Sequence, residues 1–453
     1  MRGRYRWTSI VALLLLGRSL GTAGEPADEA LDRALAEAGG AAAPLGPPEV
    51  APGRSSDIIS RQVGGLNLRF IDISFDALFA VGTSSEKDDS IGNLQGGGHD
   101  PRQRGFTVQN VEVSFTGAVD PYFYGEAHLI FYLDPEGESH FELEEAFLTT
   151  QSLPWGFQVE AGQFQTEFGR LNPQHPHQWE WLDQPVANTR LFGPDGMRGP
   201  GVRLGWLSPL PWYSEFHAGV QNAKGETMAS FAASEEFFEE RPIAGRPFVE
   251  RDVRAPKDFA YLLRWDNGFD VTEELSGKAG ASLVYGPNAT GPDGFTRIYG
   301  ADLVFKWRPL DAERGWPFVI WQSEWMKRDY RADAYFDDAG TPDPADDVFF
   351  ATDAIHDWGL YTQLLWGFRR NWAAGIRYEY AAPGGDDEDE ATDDPFRDRR
   401  HRVSPLLVWQ PTEFSRLRLQ YNYDRAQHLA RGDAHSVWFG AEILFGAHAA
   451  HSY

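Results

Sequence analysis

Seven carboxylates, Asp72, Asp76, Glu112, Glu126, Glu142, Glu144 and Glu160, occupy the polar phase of the first five alternating runs, with no Lys or Arg among them. Later runs carry Arg203, Arg264, Lys278, Lys306, Arg308, Arg328, Arg377, Arg402, Arg416 and Arg418 on that phase. The acids there are fewer: Asp266, Asp302, Glu324, Glu379 and Asp424. If each run is a strand and chain order is spatial order, one wall of a lumen is acidic and the opposite wall basic. Opposed charges across a narrow passage create a transverse field. Such a field orders dipolar water and makes entry costly for apolar solutes, while ions and small hydrophilic solutes pass.

A long polar segment follows the fifth run. Residues 170–198 hold His175, His177, Trp179 and Trp181 together with Pro173, Pro176 and Pro185, and this segment is the candidate to fold inward and narrow the passage. The His-x-His pair, with Glu180 or Asp183, has the residue types that ligate a metal. Two histidines in a loop are more often ordinary polar residues, so no metal site is assigned and no cofactor is expected.

The elements that must position these groups follow from the pattern itself. Ile71, Ile73, Phe75, Ala77 and Phe79 alternate with Asp72, Ser74 and Asp76; Phe123, Gly125, Ala127, Leu129 and Phe131 alternate with Tyr124, Glu126 and His128. Period-two alternation marks half-buried strands. Sixteen such runs recur, the last over residues 437–445. Glu145 alone breaks phase in the fourth run, which places it on the apolar side near an interface. The chain has no apolar run of roughly 18 residues or more, so helical spans are excluded. A closed sheet is the other structure that leaves no backbone group unpaired in hydrocarbon.

Connection lengths point the same way. Short links at 119–121, 152–156, 208–212, 369–371 and 411–414 alternate with long ones at 83–104, 170–198, 222–257, 329–357 and 381–400. Outer-membrane barrels carry short periplasmic turns, long outer loops and an even strand number. Tyr122, Trp155, Trp206, Trp212, Trp307, Trp316, Trp358, Trp372 and Trp409 lie near run ends, as interfacial girdles require. The fold expected is all-β: a transmembrane antiparallel β-barrel of sixteen strands with a short N-terminal helical extension.

Composition bounds the rest. The 453 residues contain 31 Phe, 16 Trp and 16 Tyr at a mean hydropathy of -0.45, which suits a barrel that shows lipid only every second residue. Residues 1–23 have the basic start, apolar core and small-residue end of a secretory signal. Its loss removes four arginines and takes the net charge from -26 to -30. Strong acidity argues against nucleic acid as a partner. There are no cysteines, so no disulfide staples the exported chain. Residues 24–60 read as a periplasmic short helix, 26–39, followed by an Ala/Pro/Gly linker, and residues 61–453 as the barrel with its pore. The acidic runs at 337–347 and 386–394 are solvated loops, suited to divalent cations among lipopolysaccharide phosphates at the lipid surface.

The segment Ala161-Gly162-Gln163-Phe164-Gln165-Thr166-Glu167-Phe168-Gly169 resembles the Gly-x-Phe-Lys-x-x-Phe-Gly strand end of the phosphate-selective porin family. Gly117–Leu133 is similar to that family's second hairpin. The resemblance implies a sixteen-stranded homotrimeric porin over residues 61–453, located in the bacterial outer membrane. Gln165 stands where the family carries Lys, which weakens the carry-over of phosphate selectivity. Tyr453, in phase with Phe439, Ile443 and Phe445, is similar to the terminal aromatic by which the barrel-assembly machinery takes up its clients.

The function expected is passive diffusion of ions and small hydrophilic solutes through a water-filled, charge-polarised lumen. An outer-membrane lipase or esterase is a second reading. It needs a Ser/His pair at the rim, whereas Ser282 and His128 face inward and no Gly-x-Ser-x-Gly occurs. An adhesin or structural barrel is a third.

Overall fold

Alternation becomes a closed wall. The computed structural model describes residues 60–63, 66–69, 71–338, 345–385 and 395–446. The signal segment, the helix at 26–39 and Tyr453 lie outside the described residues. Sixteen antiparallel strands form the barrel: β1 (Asp72–Ser84), β2 (Gly105–Ala118), β3 (Phe123–Leu133), β4 (Ser139–Thr150), β5 (Phe157–Gln165), β6 (Arg198–Leu207), β7 (Ser214–Asn222) and β8 (Phe259–Asp270). They continue as β9 (Leu275–Pro287), β10 (Phe295–Trp307), β11 (Phe318–Ala332), β12 (Asp353–Arg369), β13 (Trp372–Pro383), β14 (Arg400–Thr412), β15 (Ser415–Ala426) and β16 (Asp433–Gly446). Each pairs with its neighbour in the chain, and β16 closes on β1 from Ser436↔Ser84 to Gly446↔Ser74. Every one of the sixteen runs read from the sequence is one of these strands. The barrel wall starts at Asp72; Ser60–Val63 and Leu66–Arg69 pair as a separate two-stranded antiparallel sheet.

The two faces differ as hydrocarbon demands. In β8, Tyr261, Leu263 and Trp265 point out while Ala260, Leu262, Arg264 and Asp266 are buried within. Aromatic rings link adjacent strands on the outside: Trp206, Phe216 and Trp265 stack in series at centroid spacings of 5.7 and 5.9 Å. Tyr122, Trp155 and Trp212 are exposed in the short turns. Trp316 departs from the girdle. Its ring lies 4.8 Å from that of the fully buried Phe318 and packs on an internal cluster with Trp181 and Leu365. Leu263, 59 % exposed at mid-strand, offers a direct check of the lipid face. Leu263→Arg should cost about 2–4 kcal/mol of folding free energy in lipid vesicles if it lies at the bilayer midplane, measured by denaturant titration. A cost near zero would place that face in water.

The interior holds two surprises. First, a register shift between His128 and Leu129 of β3 sets His128 opposite Glu145 and Leu129 opposite Leu143. Glu144 is the extra residue of this bulge, so Glu144 and Glu145 both turn inward and are buried. The expectation that Glu145 faces lipid is therefore wrong: a bulge resets the alternation that the expectation extrapolated. Second, the inner wall of β8–β11 carries an apolar patch beside its buried charges. Leu262, Val284, Ile298 and Met326 are covered by Phe168, Leu191, Phe192, Met197, Met228 and Phe231 from two long connections. Polar-inside alternation fails there because folded loops, not water, contact that wall.

Candidate functional site

The connection between β5 and β6, residues 166–197, crosses the lumen. Its neck is closed by backbone and amide bonds: Thr166 N–H donates to Met197 O at 2.9 Å. The Asn172 amide donates to the carbonyls of Thr166 and Met197 at 2.7 and 2.9 Å and accepts from Met197 N–H at 2.8 Å. Gly169 turns with φ +64° and donates to Ser282 Oγ at 3.1 Å. A short helix, α2 (Val186–Phe192), follows another, α1 (Asp88–Leu94), that belongs to the β1–β2 connection.

One flank of the loop is fixed to the β13–β16 wall. The Asp183 carboxylate accepts from Arg377, from Arg402 at 3.0 Å, from Gln420 and Asn422 at 2.8 Å each, and from Gln95 at 3.1 Å. Burial alone would push this carboxyl up, but Arg377 and Arg402 outweigh it and hold it well below the usual carboxylate range. Arg416 donates to His177 O at 2.6 Å, and Arg418 to the carbonyls of Trp179 and Trp181 at 2.9 and 3.3 Å. Trp181 lies under the Arg377 guanidinium, 5.3 Å from ring centroid to Cζ, and donates from Nε1 to Ser404 O at 2.9 Å.

The other flank meets the β1–β4 wall through imidazoles. His175 contacts Glu144 through Nδ1 at 2.7 Å and Glu145 through Nε2 at 2.9 Å. His177 Nδ1 lies 3.1 Å from Glu112, whose other oxygen faces His128 Nδ1 at 3.1 Å. Ser114 donates to Glu112 at 2.6 Å and also lies 2.8 Å from His128 Nδ1. Hydroxyl and carboxylate thus compete for one ring nitrogen. A Ser-His-acid relay needs them on opposite nitrogens, so this trio is not arranged as one.

A cavity of about 300 Å³ lies under the loop, with Asp72, Thr116, Glu126, His128, His175 and Gln178 in its lining. Asp72 pairs with Thr116, and Thr116 with Glu126, near the short-turn ends of β1–β3, so the cavity faces that mouth. On the opposite side of the loop, a crevice beside His99, Glu144, Asn172 and Asp195 has about 10 Å³, room for about one water molecule.

These contacts correct the expected charge layout. The basic residues do not form a free wall. Arg264 pairs with Asp302 at 2.8 Å, Arg328 with Asp357 at 2.5 Å, Arg377 with Glu379 at 2.7 Å and Arg402 with Asp424 at 2.8 Å. Arg416 and Arg418 both reach Glu442 at 2.7 Å. Lys306 and Arg308 lie at the short-turn end of β10, half-buried. On the acidic side, Glu160 pairs with Arg203 at 2.8 Å and Glu142 with Arg198; Asp76 is buried opposite Glu112. The opposed sets grip one loop instead of facing each other across water, because buried charges are stabilised by pairing; Asp76, whose carboxylate has no hydrogen-bond partner among the described residues, is the exception. Glu180 and Asp183 are likewise not beside the His-x-His pair as metal partners: they face Arg416 and Arg377.

Two anchors were not singled out from the sequence. Glu442 follows the inward phase of β16 with Trp438 and Leu444, so parity could have found it. Arg400, which donates to Leu94 O and to Asp424 at 2.7 Å, sits where a loop was expected and had no such signal.

A closed sixteen-strand barrel, apolar outside and crossed inside by a folded loop, defines a porin-type barrel of the bacterial outer membrane. The chain is 31% identical over 410 residues to an uncharacterized protein of Aquifex aeolicus (strain VF5), across 84% of this chain and 80% of that one. It belongs to that protein's family. No family model matches it. Among solved structures, the outer membrane channel DcaP of Acinetobacter baumannii is similar at a TM-score of 0.53 and 10% identity, over 83% of this chain and 97% of that one. The anion-selective porin of Comamonas acidovorans reaches 0.49 at 8% identity, over 83% and 99%. DcaP shares the barrel fold.

Proposed function

We propose that the protein is a passive outer-membrane channel for ions and small hydrophilic solutes, its width set by the loop 166–197. The observation that carries this reading is the loop itself, held across a charged interior and leaving a 300 Å³ polar cavity toward one mouth. A lipid-facing enzyme would need its reactive groups at the rim, whereas the Ser, His and carboxylate side chains described here converge inside. With Arg264, Arg328, Arg377, Arg402, Arg416 and Arg418 engaged in ion pairs, the described residues offer little free basic wall, and a strong preference for phosphate does not follow from it.

The homotrimer belongs to the same reading. A shallow groove on the outer face of β2–β5, floored by Gly117, Gly125, Ala127, Ala146 and Ala161, supports a protein neighbour there.

Planar-bilayer recording of the purified full-length chain tests both. Expected are small ohmic steps with weak ion preference, closing at high voltage in three equal decrements. A silent bilayer after demonstrated insertion would end the channel reading; single-step closure would end the trimer.

A further inference from the structure

Three imidazoles surround one buried carboxylate at the floor of the cavity. Glu112 lies 3.1 Å from His128 Nδ1, 3.1 Å from His177 Nδ1 and 3.5 Å from His175 Nδ1. Ligand atoms of Glu112, His128 and His175 all fall within 4.8 Å of one another. In a tetrahedral zinc site with metal–ligand bonds of about 2.0–2.1 Å, adjacent donor atoms are separated by about 3.3 Å. The Glu112 carboxylate approaches His128 through Oε1 and His177 and His175 through Oε2 at separations that straddle that value, so the side chains can adjust to place one ion among them.

We propose that Glu112, His128 and His175, with His177 beside them, bind a divalent first-row transition cation of the zinc type. Donor chemistry selects that class: imidazole nitrogens with one carboxylate suit zinc, copper and nickel, whereas calcium and magnesium require mostly oxygen. An outer shell is already in place. Glu145 holds His175 Nε2 at 2.9 Å, Glu126 lies 3.6 Å from His128 Nε2, and Ser114 donates to Glu112 at 2.6 Å. Metal-ligating histidines are oriented by such carboxylates on the far ring nitrogen. Glu144, 2.7 Å from His175 Nδ1, is the competitor the ion must displace or recruit. The cavity provides an entry path from the short-turn mouth. Because His175 and His177 come from the loop and Glu112 and His128 from the wall, the bound ion is a cross-link between them.

The test uses the intact detergent-solubilised protein. Competition against a chromophoric chelator should show one saturable zinc site per chain, and cobalt should give the intense visible bands of tetrahedral coordination. His128→Ala and His175→Ala should each weaken zinc binding at least 100-fold, and Glu145→Gln by 10–100-fold. A second His/carboxylate group, Asp134, Glu138 and His140, lies at the surface; His140→Ala should leave the high-affinity site intact. Cobalt spectra of the unaltered protein keep the test decisive should a variant fold poorly. Absence of a saturable site, octahedral cobalt spectra, or loss of binding in His140→Ala but not in His175→Ala would overturn the proposal.

Discussion

Asp183→Asn should open the channel. The carboxylate is the common acceptor for two arginines and three amides drawn from β13, β14, β15 and the first long connection. An amide keeps the shape, removes the charge and turns an N–H donor toward guanidinium groups. Removing one partner of a buried ion pair costs about 3–5 kcal/mol. Arg377 and Arg402 retain Glu379 and Asp424 at 2.7 and 2.8 Å, so the barrel survives and the loss falls on loop docking. At about 1.4 kcal/mol per tenfold, the ratio of docked to undocked loop should fall by about two to three and a half orders of magnitude. Single-channel conductance should rise several-fold and become noisy, with the folded band on unheated gels unchanged. Unaltered conductance from a folded variant would show that the loop does not limit flow. The low-lying acidity of Asp183 adds a sign: a carboxyl depressed on folding stabilises above its ordinary titration range and loses that contribution only as pH falls toward the depressed value. The unaltered channel should therefore keep its narrow state through mildly acidic solution.

Gly162→Ala should block assembly altogether. Gly162 pairs with Phe147 across β4–β5 at φ +142°, and a Cβ there would lie 2.2 Å from Ala146 O and 2.6 Å from Phe147 Cα. Both obstacles are backbone, so no rotamer relieves them; the strands must part. Strain at such a φ costs about 1–3 kcal/mol in itself, and separation exposes unpaired amides to lipid. Refolding into detergent micelles should yield almost none of the compact, heat-modifiable form. A near-normal yield would mean the β4–β5 ladder has slack that its register does not show.

Much of this architecture is legible in the residues, and the failures are informative. Period-two patterning fixes which side of a strand faces lipid as long as register is unbroken, and it locates all sixteen strands because hydrocarbon tolerates few exceptions. It misplaces Glu145 because one extra residue at Glu144 reverses the phase. It is silent on the cover over Leu262, Val284, Ile298 and Met326 because that cover comes from loops, whose path no periodicity encodes. The loop 166–197 could be identified as an inward candidate by its position and length. Its partners could not: Asp183 and Gln420 are 237 positions apart, and each alone reads as an ordinary polar residue. Most of the carboxylates and arginines marked as pore lining pair with each other or with the loop, as Arg264 does with Asp302 and Arg402 with Asp183.

The way Arg416 and Arg418 engage the loop has an evolutionary corollary. They bind the main-chain oxygens of residues 177, 179 and 181, which every amino acid possesses. Descendants of this gene could therefore exchange side chains along this stretch while the scaffold still recognises the same backbone trace. Transport preference can drift among lineages without renegotiating how the polypeptide is threaded.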